Sequence, residues 1–166
     1  MDESTTKPTR LLLVDDEEDL VTYLGQRLQK RGMVVHGVTN GPDAITAARK
    51  EIFDVAIVDL QMPKMNGIEV MQQLSALQPF LEAIMLTGHG SHESAWEAGK
   101  LHAFRYLIKP YDFDALLQMI GEAHAARNDA LRRTFQEKFN ELIARNASAR
   151  EIMTESERLR REYEQD

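Results

Sequence analysis

The chain has no cysteine among its 166 residues. Disulfides, thiolate nucleophiles and cysteine-ligated zinc are therefore excluded. No apolar run approaches the ~20 residues needed to span a bilayer, and the opening MDESTTKPTR lacks the apolar core of a secretory signal. A cytoplasmic protein with no membrane span is the expectation. Basic charge is also short: 20 Lys and Arg stand against 27 Asp and Glu, giving a formal net charge of −7. That balance disfavours nonspecific nucleic-acid binding as the main activity. The five histidines, at 36, 89, 92, 102 and 124, are too scattered for a zinc site. From Arg127 onward glycine and proline are missing, so the turns those residues make are not signalled there.

What is present describes a globular chain, 43% hydrophobic and long enough for one domain and an appendage. The first 125 residues alternate short apolar runs with helical patterns five times. The runs predict strands at Leu11 to Asp15, Val34 to Val38, Val55 to Asp59, Ala83 to Thr87 and Phe104 to Ile108. Helices are expected near 18 to 31, 42 to 51, 67 to 77, 91 to 101 and 112 to 127. Alternation of this kind implies right-handed crossovers and a doubly wound α/β fold, a parallel sheet covered on both faces. Gly32 closes the first helix, Gly41 and Pro42 open the second, and Asp112 after Pro110 caps the fifth.

The ends of these strands carry the chemistry. Asp59 ends the run in DVAIVDLQMPKMNG, and Pro63, Asn66 and Gly67 break the chain directly after it. Asp15 and Asp16 end LLLVDD, Thr87 ends EAIMLT, and Lys109 ends FRYLIK. In an open α/β sheet the carboxyl edge is where ligands bind. A carboxylate is ionised at neutral pH yet a poor nucleophile, so it needs positioning and charge neutralisation rather than a base. Phosphoryl transfer asks for those same two things. Asp15, Asp16 and Asp59 brought together would repel one another, and a hard divalent cation with oxygen ligands relieves that repulsion. Magnesium is implied, with Mn2+ as a substitute.

The blocks LLLVDD, VDLQMPKMNG, MLTG and FRYLIKP, in that order, resemble the receiver domain of bacterial response regulators. The resemblance covers residues 9–126. Any one block alone is weak, because an Asp-Asp pair is usually a solvated turn or helix cap; four in sequence, each at a strand end, are specific. The resemblance implies a five-stranded sheet of order 2-1-3-4-5, as in flavodoxin-like folds. It implies that Asp59 accepts a phosphoryl group and that Asp16 and Asp59 bind magnesium. Asp15 would act through water and the Gln61 carbonyl would complete the protein ligands. Lys109, on a cis bond to Pro110, would hold a phosphoryl oxygen, and Thr87 would hydrogen-bond the group. Tyr106 would be the switch aromatic that turns inward when Thr87 shifts. Read without the family, Thr87 is ordinary turn chemistry and Tyr106 a half-buried strand residue.

One residue departs from the family pattern: His102 stands where glycine is common. Gln61 and His89 occupy positions that influence the lifetime of the phosphoryl group in such receivers. Trp96 falls in the expected helix 91–101, where it serves either an interface or packing beneath the helix. Residues 1–8 are expected to be a flexible N-terminus. Residues 127–166 are read as a helical extension of two helices, with 9 basic and 9 acidic residues against 11 and 18 before residue 126. Leu131, Phe135, Phe139 and Leu142 make an apolar stripe, and Ser148 with Glu151 fits a capping box. A break near Asn146 is expected, with a second helix from about Ala149 to Tyr163. The 4-3 spacing of Phe135, Phe139, Leu142, Asn146, Ala149 and Met153 also fits a coiled coil. The stripe is therefore covered by a second copy, by the second helix folding back, or by the receiver.

The expectation is a phosphorelay switch rather than an enzyme that turns over substrate. Its partners would be a sensor histidine kinase or histidine phosphotransfer protein. A homodimer could form through the face of helix 91–101, the fifth strand and the helix after it, or through the C-terminal helices. Nucleic acid and membrane are not expected as partners. A relay intermediate without an output of its own is the alternative. An aspartate-nucleophile phosphatase is disfavoured because Gln61 stands where those sites place a second acid.

Overall fold

The computed structural model describes residues 7–88 and 105–164. The expected helix 91–101, with Trp96, and the positions His89, His92, His102 and Phe104 lie outside the described residues.

Five strands, β1 (Arg10–Val14), β2 (Val34–Val38), β3 (Val55–Asp59), β4 (Glu82–Thr87) and β5 (Arg105–Ile108), form one sheet. All four pairings are parallel and the order is β2-β1-β3-β4-β5. Five described helices accompany them: α1 (Glu18–Gln29), α2 (Gly41–Lys50), α3 (Gly67–Leu77), α4 (Phe113–Ala144) and α5 (Ala149–Tyr163). Parallel strands need crossovers, and the crossovers cover both faces of the sheet.

Period-two alternation along each strand divides the core into two layers. Leu12, Val14, Ala56, Val58, Ala83 and Met85 pack toward α2 and α3, among Ala44, Val70, Met71 and Leu74. Leu11, Leu13, Val55, Ile57, Ile84 and Leu86 pack toward α1 and α4, among Leu28, Leu116 and Ile120. Burying one such Leu or Ile is worth about 1.5–3 kcal/mol, so a register slip in β1 or β3 would forfeit both layers at once. Among the described residues no helix is long and apolar enough to cross a membrane.

Helix starts follow local side-chain chemistry. The side chains of Asn40, Asn66 and Asp112 accept from the backbone N–H of Asp43, Glu69 and Ala115, satisfying donors that a helix leaves open. Gly32, at φ 83°, takes the left-handed turn after α1.

α4 is one continuous helix of 32 residues, so no break separates receiver from extension at 126. It ends at a turn in which Asn146 adopts φ 56°, a conformation asparagine tolerates better than most residues. Ser148 and Glu151 then make the reciprocal capping box that starts α5. The two helices fold back on each other within one chain. Leu131, Leu142 and Leu159 are buried, while Phe139, Ile143 and Met153 stay exposed.

Gln78, after α3, ties this end of the fold together from a buried position. Its carbonyl accepts from Phe53 N–H at 2.9 Å, and its amide donates to the carbonyls of Ala48 at 2.9 Å and Glu51 at 2.7 Å. Replacing it with an apolar residue of similar length strands three backbone groups, two of them buried. Gln78→Met is expected to cost at least about 2 kcal/mol, read as a lower urea midpoint at unchanged slope.

Candidate functional site

The carboxyl edge of the sheet brings five expected residues together. Asp15 follows β1, Asp59 ends β3, Thr87 ends β4 and Lys109 follows β5. Asp16 stands beside Asp15. Because the strands are parallel and in register, with Asp59 opposite Leu86 and Thr87 opposite Ile108, their ends converge. The Lys109 N–H donates to the Thr87 carbonyl at 2.7 Å, and the Lys109–Pro110 bond is cis.

Carboxylate oxygens of Asp15, Asp16 and Asp59 all lie within 4.8 Å of one another. Asp15 is fully buried and Asp59 is 6% exposed, whereas Asp16 faces solvent. The Lys109 ammonium stands 3.1 Å from Asp15 Oδ2 and 3.6 Å from Asp59 Oδ2. Asp15 Oδ1 accepts from the Glu17 N–H at 3.0 Å, and Asp59 Oδ1 accepts from the Gln61 N–H at 3.3 Å. Burial pushes the Asp59 carboxyl above its ordinary value; the Gln61 N–H and Lys109 pull it down, and Asp15 and Asp16 push it up again. For Lys109, burial pulls the ammonium down. The hydrogen bond and charge of Asp15, with Asp59 and Glu17, outweigh that and leave it raised.

Three carboxylates against one ammonium leave an excess of negative charge in a small volume. The donors are all hard oxygens and one of the three carboxylates is open to solvent, which fits a small divalent cation such as magnesium. Asp15, Asp16 and Asp59 are the side chains that could hold it.

The loop after β3 fixes the approach to Asp59. Lys64 adopts φ 68°, and the Gly67 N–H returns to the Leu60 carbonyl at 3.0 Å. A Cβ on Gly67 would lie 2.8 Å from Leu60 Cα and collide with the Asp59 carbonyl oxygen. Only glycine lets α3 begin this close to the backbone of Asp59. In the sequence, Asn-Gly read merely as a chain breaker, and nothing in one sequence distinguishes a turn glycine from one under a neighbouring backbone.

Tyr106 lies on β5 opposite Met85 and packs against the α2/α3 layer. Its hydroxyl is shielded from solvent, without a hydrogen-bond partner among the described residues. Thr87 is 5% exposed, and its hydroxyl donates to the Gly88 carbonyl at 3.2 Å. Gln61, read from sequence for its carbonyl, meets Asp59 through its N–H.

This edge and this sheet order define a receiver. The family model for the response regulator receiver domain matches residues 11–121. The chain belongs to that family. It is 38% identical over 117 residues to the transcriptional regulatory protein GlrR of Escherichia coli K12, a match covering 70% of this chain and 26% of that protein. The chain thus spans about a quarter of the length of the curated relatives it matches. Among solved structures, one described as adenylate cyclase from Rhodopirellula baltica is 30% identical with a TM-score of 0.75, over 79% of this chain and 98% of that one. A CheY-like receiver domain from Methanospirillum hungatei is 27% identical with a TM-score of 0.71, over 74% and 98%.

Crowded carboxylates weigh against stability when no cation is bound. Neutralising one without changing its shape should relieve that. In metal-free buffer Asp59→Asn is expected to raise the melting temperature by about 2–4 °C, the shift that ~1 kcal/mol produces in a chain of this size. An unchanged or lower midpoint by calorimetry would mean that Lys109 already balances the cluster.

Proposed function

We propose that the chain is a phosphorylation-controlled switch whose phosphoacceptor is Asp59. The convergence of Asp59, two further carboxylates, Lys109 and Thr87 on one strand edge supports this reading most directly. A phosphohistidine on a sensor kinase or histidine phosphotransfer protein is the donor. The Asp59 oxygen forms the new P–O bond as the P–N bond breaks, and the imidazole nitrogen leaves with the bonding pair. A bound magnesium supplies charge neutralisation for the phosphoryl oxygens. Lys109 is close enough to Asp59 to pair with a phosphoryl oxygen, and the Gln61 N–H holds the carboxylate oriented. Thr87, on the neighbouring strand, is the hydroxyl that would meet the added group.

The new charge shifts an existing equilibrium of the Thr87–Tyr106 side of the sheet. The output is contact with other proteins, including a second copy. Substrate turnover is not part of this reading, since Gln61 offers no carboxylate two residues beyond the nucleophile to act as acid or base.

Incubation with a small phosphodonor and magnesium should add one phosphoryl group by intact mass spectrometry, labile to base as an acyl phosphate is. Asp59→Asn should reduce labelling at least about a hundredfold. Labelling that persists in the variant would move the acceptor elsewhere and sink the assignment.

A further inference from the structure

At the opposite, amino edge of the sheet the structure holds a second buried charge. Arg127, midway along α4, is only 5% exposed. One guanidinium nitrogen pairs with Asp54 Oδ1 at 3.1 Å; another donates to the Tyr163 carbonyl at 2.7 Å. Asp54 immediately precedes β3, and its other oxygen accepts from the Arg10 N–H at 2.7 Å. Tyr163 is the last residue of α5, and its ring meets Phe80 edge-on at 4.8 Å between centroids. Beneath this contact lies a cleft of about 250 Å³ lined by Phe53, Leu77, Phe80, Leu81, Arg127 and Tyr163, among others.

We propose that α5 is a releasable cover over this cleft, with Arg127 as its lock. Three observations carry the proposal. First, α5 is held lightly: Leu159 is its one buried residue, and 15 residues of isolated helix are marginal in water. Second, the cleft beneath it is not filled, unlike the close-packed layers on either side of the sheet. Third, release leaves no buried charge unpaired, because Asp54 keeps Arg127 neutralised after the Tyr163 carbonyl departs. What Arg127 grips is the negative end of the α5 dipole, so the hold depends on the helix end being formed and in place. An apolar residue at 127 could close the edge permanently; a cation shared between a fixed carboxylate and a helix end can let go of one of them.

Hydrogen exchange followed by mass spectrometry on the full chain tests this. In the wild type, amides of 149–163 should exchange at least about tenfold faster than those of β3, through an opening smaller than global unfolding. Tyr163→Ala and Arg127→Met should each speed exchange across 149–163 by a further ~10-fold. Exchange across 76–81 should rise with it, leaving α1 unchanged. Tyr163→Ala removes no buried charge, so it remains informative if Arg127→Met destabilises the receiver. Exchange of 149–163 only with the core, or acceleration of α1 in step with α5 in Tyr163→Ala, would make α5 an integral part of the fold and overturn the proposal. Unchanged exchange of 149–163 in Arg127→Met would likewise overturn it, because Tyr163→Ala removes the ring contact with Phe80 and keeps the carbonyl that Arg127 grips.

Discussion

Like charges forced together at one sheet edge set the terms for the rest of the molecule. Asp15, Asp16 and Asp59 sit within 4.8 Å of one another, two of them buried, where water screens their repulsion poorly. Lys109 provides the direct compensation, donating to Asp15 and lying near Asp59. Its position requires that β5 end beside β4, which the Lys109 N–H bond to Thr87 secures. The edge is thus held by pairing on both sides of β3, and the site's excess negative charge leaves room for a cation or for a group whose arrival changes the balance. With three carboxylates against one ammonium the cluster is far from neutral by itself, so any charge that arrives there changes how strongly the strand ends repel one another.

Much of this was legible in the sequence because a parallel sheet makes a simple promise. Strands buried on both faces appear as apolar runs, and all of them finish on the same edge. Asp15, Asp16, Asp59, Thr87 and Lys109 could therefore be gathered from four strand ends before any contact was known, and the strand order followed from the resemblance. The caps at Asp112 and Ser148 were readable because a cap is a local hydrogen bond between residues three apart.

What escaped the sequence was set by distance or direction. Gly67 looked like a turn residue; its requirement comes from the carbonyl of Asp59, eight residues earlier, pressed against it. Arg127 looked like the first residue of a charged tail, since a lone arginine carries no periodicity and its partner Asp54 lies more than seventy residues away. A strand-end Asp54 could as well have been a solvated cap. The stripe in the tail left its covering open because Phe135, Phe139 and Leu142 fit a coiled-coil seam and a helical hairpin about equally. The turn at Asn146 folds the two helices into a hairpin within one chain, with Phe139 and Met153 exposed on its outer surface.

The two edges of the sheet are joined by α4, and the helix geometry explains why the extension emerges where it does. From Phe113, beside the Lys109–Pro110 turn, to Arg127 is fourteen residues, about 21 Å of helix. A five-residue strand with its flanking turns spans a comparable length, at ~3.3 Å per residue. Arg127 is therefore where α4 runs out of sheet to cover. Beyond it α4 meets the returning α5, and Leu131 and Leu142 are buried along this stretch. A buried cation at that point serves both parts, since it binds the strand that ends in Asp59 through Asp54 and the returning helix through Tyr163. The site and the extension thus share β3 and α4, with an ion pair at each end of the strand.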